Sequence, residues 1–338
     1  MRTIEWNDGI VITVDQTRLP NKTLFLKMRK CEEVASAIKE MRMRGAPLIG
    51  VAAAYGLALT AYHSKVEKRE ALMRQIEESA KVLKKTRPTA VNLFWAVDRI
   101  LKKAHETFGD AKAVAKVVVD EARRMADEDV EGNRKIGEHG SKLIADKDVI
   151  LTHCNAGSLA TVDYGTALGI VRTAWEQGKE IKVIATETRP KLQGARLTAY
   201  ELKRDGIPVT LITDNMVGYA MSKRLIDKVV VGADRIVRDA VINKIGTYTI
   251  AVLAHEHNVP FYVAAPKSTF DMAHTSKDVI VEKRNAEEVT HVGSQRIAPI
   301  GVKVLNPAFD ITPMKYVSAI ICETGVLSAA EFERLVTV

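Results

Sequence analysis

Between Asp148 and Asp234 the chain repeats one pattern: a short apolar run, a polar ending, then a helical stretch. Asp148-Val149-Ile150-Leu151-Thr152 runs into His153-Cys154-Asn155-Ala156-Gly157-Ser158, and a helical pattern follows from Gly165 to Trp175. Ile181 to Thr186 ends in Glu187-Thr188-Arg189-Pro190, and Pro208 to Thr213 ends in Asp214-Asn215. Lys228 to Gly232 ends in Ala233-Asp234-Arg235. Apolar runs of about five residues alternating with helical patterns of ten or more are the mark of βαβ units and a parallel sheet. In such sheets ligands bind outside the carboxyl ends of the strands. Those ends carry Cys154, Glu187, Asp214 and Asp234, so the reactive side chains fall along one rim.

The rest of the chain frames that rim. With 338 residues it exceeds the usual size of one domain, and two are expected. Residues 1–28 alternate apolar and polar, as in Ile10-Val11-Ile12-Thr13-Val14. They predict two or three short strands turning at Asn7-Asp8-Gly9 and Leu19-Pro20-Asn21. A helix is expected from Cys31 to near Gly45, and a second from Pro47, placed at a first helical position, to about Tyr62. Amphipathic helices are expected at 67–84, 89–106, 110–127 and 129–145. Beyond Asp234 the pattern predicts a helix over 246–257 and a strand over 260–265. An irregular stretch over 268–315, a strand over 317–322 and a terminal helix complete it. The expected fold class is α/β: a Rossmann-like parallel-sheet domain over 126–338, preceded over 1–125 by a mostly helical domain with short strands at its start.

Composition removes several function classes. No apolar run approaches the roughly 20 residues of a membrane span, and Met1-Arg2-Thr3-Ile4-Glu5-Trp6 has no secretory h-region. Cys31, Cys154 and Cys322 are few, odd in number and far apart, which argues against a disulfide framework and for a reducing cytoplasm. The net charge of +8 comes largely from bases interleaved with acids, as in Lys65-Val66-Glu67-Lys68-Arg69-Glu70, a solvated helix face. With no RNA-binding aromatic signature and no Cys/His zinc cluster, neither nucleic acid nor a metal is expected. Mild positive charge suits a small phosphorylated substrate.

Three groups of residues could do chemistry. Cys154 sits where a strand gives way to a small-residue loop, and backbone N–H groups there could favour a thiolate; the alternative is a small residue filling a gap. His153 beside it reads as a proton shuttle or, more simply, a satisfied core histidine. Asp234 follows Val229-Val230-Val231-Gly232-Ala233 directly. It is a candidate acid or base, against the alternatives of a helix N-cap or a salt bridge to Arg235. Asn243 and Lys244 follow on the next loop.

Arg44-Gly45-Ala46-Pro47 before a helix of small residues can cradle a phosphate, although it is not a P-loop; turn plus cap is the alternative. Arg87, in the Thr-Arg-Pro-Thr break, is a second candidate anion ligand, and Gln193 opens the helix after Thr188-Arg189-Pro190. Phe94 and Trp95 read as core or as the lining of an apolar pocket. One thiol, one carboxylate and several anion-binding groups suit proton or hydride movement within a phosphorylated metabolite.

Together these segments resemble a known family. Arg44-Gly45-Ala46-Pro47-Leu48-Ile49-Gly50, Arg87-Pro88-Thr89-Ala90-Val91-Asn92-Leu93, Thr152-His153-Cys154-Asn155-Ala156-Gly157, Thr186-Glu187-Thr188-Arg189-Pro190 and Gly232-Ala233-Asp234-Arg235 are similar to the methylthioribose-1-phosphate isomerases of methionine salvage. The likeness runs from Ile4-Glu5-Trp6 to Glu323-Thr324-Gly325. Ribose-1,5-bisphosphate isomerases and regulatory subunits of a eukaryotic translation-initiation exchange factor share that fold. The resemblance implies an aldose–ketose isomerase without cofactor, acting as a homodimer on a phosphorylated pentose. It implies Cys154 and Asp234 as the catalytic pair, with Arg44, Gly45, Ala46, Arg87, Gln193, Asn243 and Lys244 holding substrate. Ile236 to Ile242, read as a loop, is slightly shorter than is usual in that family.

Overall fold

The structure is a computed structural model that describes residues 2–328, 331, 332 and 334. Its residues fall into two compact units, Met1–Arg134 with Gly157–Gly165, and Lys135–Ala156 with Thr166–Val338.

The first unit begins with an antiparallel sheet of β1 (Ile4–Asn7), β2 (Ile10–Val14) and β3 (Phe25–Met28). Asp8 and Gly9, at φ 44° and 75°, form the two-residue turn between β1 and β2. A positive φ at both positions matches the twist of the flanking strands, which is why Asp-Gly is so strong a hairpin signal. Five helices follow: α1 (Cys31–Lys39), α2 (Ala46–His63), α3 (Arg69–Lys84), α4 (Val91–Glu106) and α5 (Ala111–Ser141).

Helix α2 is the core of this unit and corrects one expectation. By length and composition alone it is apolar enough to cross a membrane, yet 78% of it is buried inside the protein. Ala52, Ala53, Ala54, Leu57 and Ala58 are fully covered, and α1, α3 and α4 pack around it. Its small residues permit close approach: a Cβ on Gly50 would lie 2.9 Å from the Asn92 carbonyl oxygen of α4. An all-round apolar helix of this kind is a buried core helix. Pro47 is its second residue, behind Ala46, with Gly45 as the cap.

A second correction concerns α5, which is one helix where two were expected. Its buried residues Val114, Val118, Ala122, Met125 and Ala126 keep helical spacing toward the point where a break was expected. No proline interrupts it. The expected domain division at 125/126 and the division between the units at 134/135 both fall inside it.

The second unit is built on a seven-stranded sheet. Along the chain come β4 (Val149–Thr152), α6 (Ala167–Glu176), β5 (Lys182–Thr186), α7 (Ala199–Arg204), β6 (Val209–Ile212), α8 (Val217–Ser222) and β7 (Lys228–Val231). Next come β8 (Arg235–Val237), β9 (Ala240–Lys244), α9 (Thr247–Glu256), β10 (Phe261–Ala264) and β11 (Phe270–Asp271). The last elements are α10 (Glu287–Thr290), β12 (His291–Val292), β13 (Gln295–Arg296), β14 (Phe309–Pro313), β15 (Ala319–Cys322) and β16 (Gly325–Ser328). The sheet order is β16-β15-β10-β7-β4-β5-β6, parallel throughout except for β16.

The sequence expectation misses two features here. Ile236 to Ile242 is a hairpin, β8 to β9, turning at Arg238-Asp239. It belongs to a second sheet of order β11-β8-β9-β14. Strand β9 is buried at every position, so no apolar–polar alternation betrays it. The stretch 268–315 accordingly holds β14, paired with β9 from Phe309↔Lys244 to Pro313↔Ala240. After Cys322 comes the antiparallel β16 before any helix, and most of the expected terminal helix lies outside the described residues.

Candidate active site

Strand order fixes where the rim opens. Counted along the chain, the six parallel strands lie in the order 3-2-1-4-5-6, so the connections diverge between β4 and β7. That divergence leaves a crevice at the carboxyl ends of these two strands, where α/β sheets bind ligands. Strands β4 and β7 pair directly, Ile150 with Lys228 and Leu151 with Val229. Cys154 stands just beyond β4 and Asp234 just beyond β7. The two loops touch: a Cβ on Gly232 would lie 2.7 Å from the Cβ of Ala156.

Cys154 is half-buried and holds a left-handed backbone, φ 63°, which carries a steric cost for any residue with a Cβ. Two threonines clamp its flanking peptides. The Cys154 N–H donates to Thr188 Oγ1 at 2.8 Å, and the Thr198 hydroxyl donates to the Cys154 carbonyl at 2.6 Å. Thr188 and Leu192 are also left-handed, at φ 61° and 57°. The Asp214 carboxylate ties down the first of these turns, accepting from Thr188 N–H at 2.8 Å and Arg189 N–H at 2.7 Å. Thr198 ends a π-helical turn, Gly194–Thr198, that leads into α7. Off-menu backbone of both kinds concentrates at functional sites.

A buried ionic network stands behind this clamp. Asn155 Nδ2 donates to Thr198 Oγ1 at 3.2 Å and to Glu201 Oε1 at 2.8 Å. Glu201, fully buried, accepts from Arg172 at 2.7 Å, and Arg172 also reaches Asp205. Burial works against the Arg172 charge, but Glu201 and Asp205 outweigh it and raise its pKa. Sequence reasoning passed over these residues; the available signal was Arg172 and Glu201 occupying core-facing turns of α6 and α7.

His153 is the core histidine of the simpler reading. It is 1% exposed, with Nε2 2.8 Å from the Ile245 carbonyl and Nδ1 2.6 Å from the Thr186 hydroxyl. Burial lowers its pKa and so favours the neutral ring. The carbonyl can only accept, which puts the proton on Nε2.

Asp234 is half-buried and starts the β8–β9 hairpin, its N–H donating to the Ile242 carbonyl at 2.9 Å. A strand follows it, so it is not a helix cap; Arg235 forms an ion pair with Asp271. The pairing Arg235↔Ile242 places Asn243 opposite Asp234 one step further along. Asn243 Nδ2 donates to Thr247 Oγ1 at 3.0 Å. Lys244 donates to the Ala308 carbonyl at 2.8 Å and lies 4.7 Å over the Phe309 ring. Asp310, opposite Asn243 on β14, accepts N–H groups of Gly246 and Tyr248 at the start of α9. Burial nonetheless pushes its carboxyl up to about 6. Gln193, 3% exposed, precedes the π-helical turn, and its Oε1 accepts no hydrogen bond from the described residues. The second unit thus gathers Cys154, Asp234 and Asn243 around one rim, with Gln193 leading into the turn that clamps Cys154.

The first unit gathers the other group. Gly45, at φ 110°, has no room for a side chain: a Cβ would lie 2.5 Å from the Ala160 backbone. Arg44, 7% exposed, donates through Nε to Gln16 Oε1 at 2.9 Å, and Gln16 Nε2 donates to the Leu159 carbonyl at 2.7 Å. Ala46 opens α2, whose free N–H groups favour an anion. Arg87, between α3 and α4, donates to Met41 Sδ at 3.4 Å, which sets it beside the loop carrying Arg44.

The wall of this cradle is Gly157–Gly165, the segment that follows Cys154-Asn155-Ala156 in the chain. Thr3, Gln16 and Asp129 all bind its backbone. Phe94 packs, partly buried, against the core of the first unit with Lys84 over its ring, whereas Trp95 is 41% exposed with Arg99 over its ring.

Known proteins match along the whole chain. The profile described as "Initiation factor 2 subunit family" covers residues 42–329. The methylthioribose-1-phosphate isomerase of Acetivibrio thermocellus is 52% identical over 97% of this chain and 96% of its own. A crystal structure of 5-methylthioribose 1-phosphate isomerase from Pyrococcus horikoshii OT3 superposes with a TM-score of 0.92 at 47% identity, covering 99% of this chain and 94% of that one. A crystal structure described as translation initiation factor eIF-2B, subunit delta, from A. fulgidus gives 0.89 at 52% identity over 100% of both chains. The chain belongs to the initiation factor 2 subunit family.

Proposed function

We propose that this protein is an aldose–ketose isomerase that converts 5-methylthioribose 1-phosphate to 5-methylthioribulose 1-phosphate. One observation carries the chemistry: Cys154 and Asp234 follow directly paired strands at the crevice of the sheet, on loops in van der Waals contact. Relatives named for this reaction match this chain at about half identity over nearly their whole length.

The phosphate at C1 locks the sugar as a cyclic acetal, so the ring must open before or during hydrogen transfer from C2 to C1. Asp234 exchanges the proton with the ring oxygen and hydroxyls, a task for a positioned carboxyl group. Cys154 takes the C2 proton in an enediol route, or shapes the site in a hydride route. Running the reaction in deuterated water separates these: solvent deuterium at C1 of the ketose establishes proton transfer, and its absence favours hydride shift. Arg44, Gly45, Ala46 and Arg87 are assigned to the phosphate, with Gln193, Asn243 and Lys244 on the sugar.

The assignment itself is tested on two substrates. Catalytic efficiency on methylthioribose 1-phosphate is expected to exceed that on ribose 1,5-bisphosphate, and the reverse order overturns it. A second reading, a regulatory subunit of an initiation-factor assembly, is supported by the likeness to the A. fulgidus protein named for eIF-2B. Capture of an initiation factor without turnover of either pentose phosphate favours that reading. The same proposal makes the protein a cytoplasmic homodimer. Its free thiols support the first part. Ile280, Ile297, Ile300 and Leu305, exposed at 58–88%, support the second.

A further inference from the structure

Three buried side chains form a hydrogen-bond chain behind Cys154, and donor chemistry fixes its direction. The Cys154 N–H can only donate, so Thr188 Oγ1 accepts it at 2.8 Å. The Thr188 proton then points to Thr186, whose hydroxyl is 3.2 Å away and whose carbonyl is 3.3 Å away. At the far end the Ile245 carbonyl can only accept, so His153 Nε2–H donates to it at 2.8 Å. A neutral imidazole with its proton on Nε2 accepts at Nδ1, so the Thr186 hydroxyl donates to His153 at 2.6 Å. Along the hydroxyl path each threonine gives one proton and receives another. Thr186 and Thr188 are fully covered and His153 nearly so. The chain joins the ends of β4, β5 and β9 at the backbone of one half-buried cysteine.

We propose that Thr188, Thr186 and His153 are positioning residues that hold Cys154 in its left-handed conformation and so aim its thiol along the rim. A left-handed cysteine is sterically costly, and the peptide before it turns toward Thr188 only while that hydroxyl can accept. Thr188 in turn presents its lone pair to Cys154 because its proton is committed to Thr186, and Thr186 is oriented by His153. A histidine that moves no proton thereby sets the geometry of the residue beside it. This inference rests on the isomerase reading only where turnover is measured; the placement of the thiol is independent of it.

Thr188→Val removes the hydroxyl at nearly constant volume, and Thr188→Ser restores it. Turnover of methylthioribose 1-phosphate by T188V is expected to fall roughly 10- to 100-fold in kcat, the scale of a displaced reacting group, with KM little changed. T188S recovers most of the loss. A purely packing role predicts the opposite ranking, since valine fills the space and serine does not.

Alkylation of the folded protein by iodoacetamide, followed at Cys154 by peptide mass spectrometry, gives a readout that needs no enzymatic activity. Release of the clamp is expected to raise the rate severalfold in T188V and leave T188S near wild type. Thermal unfolding of both variants checks that the comparison is between folded proteins. Alkylation of T188V at the wild-type rate, or T188S as impaired as T188V, overturns the proposal. Cys154→Ser with undiminished turnover would instead remove the isomerase role of Cys154, and the alkylation ratio would still decide the clamp.

Discussion

Cys154 and Asp234 are the residues on which the functional reading stands. Cys154→Ser keeps the volume and removes most thiolate character, while Asp234→Asn keeps the shape and removes the titrating proton. Each variant is expected to lose about 10²- to 10⁴-fold in kcat, the usual contribution of a positioned acid or base, while its melting temperature stays close to wild type. A cysteine that only packs predicts the reverse, lower stability with turnover intact, so paired turnover and melting measurements decide. A different carboxyl, Asp129 on α5, adds a pH dependence to the stability of the first unit. It accepts the Val162 N–H at 2.7 Å and the Asn133 amide at 3.0 Å, yet burial pushes its pKa from 3.8 up to about 7. Because the folded pKa is raised, the stability it contributes is complete below about pH 4 and is lost as pH rises toward 7. Asp129→Asn retains an accepting oxygen and does not titrate. Its melting temperature is expected to match wild type near pH 4 and exceed it by several degrees at pH 8. A difference constant across that range would discount the effect.

Among the elements, the contact between the β4 and β7 loops is the one most sensitive to a single methyl group. Gly232 has no positive φ, so its requirement is space alone: an added Cβ would stand 2.7 Å from the Ala156 Cβ. Gly232→Ala is therefore expected to part the loops carrying Cys154 and Asp234. The cost is about 1–3 kcal/mol, typical of overpacking, with a loss of kcat larger than the loss of stability alone explains. Gly218→Ala on α8 is the control, since its nearest neighbours, the Leu253 methyls, are 3.8 Å away. It should be neutral or stabilising by up to about 1 kcal/mol. Urea unfolding and steady-state kinetics on both variants test the pair, and equal behaviour would show that the loops tolerate separation.

For the whole molecule the open question is assembly. The exposed Ile280, Ile297, Ile300 and Leu305 lie between α9 and β14 in chain order, where regular structure is sparse. Apolar side chains so exposed mark an interaction surface when they are contiguous. Light scattering is expected to give twice the 37.3 kDa chain mass. Replacing Ile300 and Leu305 together by Asp should return the single-chain mass without lowering the unfolding transition. A wild-type protein of 37.3 kDa at working concentration would end the dimer proposal.

The sequence by itself determined the parallel sheet, the placement of Cys154 and Asp234 beyond strand ends, and the N-terminal hairpin. Each is written in a local signal: short apolar runs between helical patterns, polar residues closing the runs, and Asp-Gly at a two-residue turn. Tertiary structure decided the rest. Strand order is non-local, so the pairing of β4 with β7 that brings the loops carrying Cys154 and Asp234 together appears in no window of residues. Strand β9 is buried on both faces and loses the alternation that reveals a strand. Arg172 and Glu201 become a buried ion pair only when α6 and α7 pack together. The assignment of Gly157–Gly165 to the first unit rests on hydrogen bonds to residues as distant as Thr3 and Asp129. The partners that satisfy His153 are non-local in the same way: Thr186 and Ile245 are brought to it by separate strands. Local pattern fixes what each segment becomes, whereas the partners of a buried polar group are fixed only when the chain closes around it.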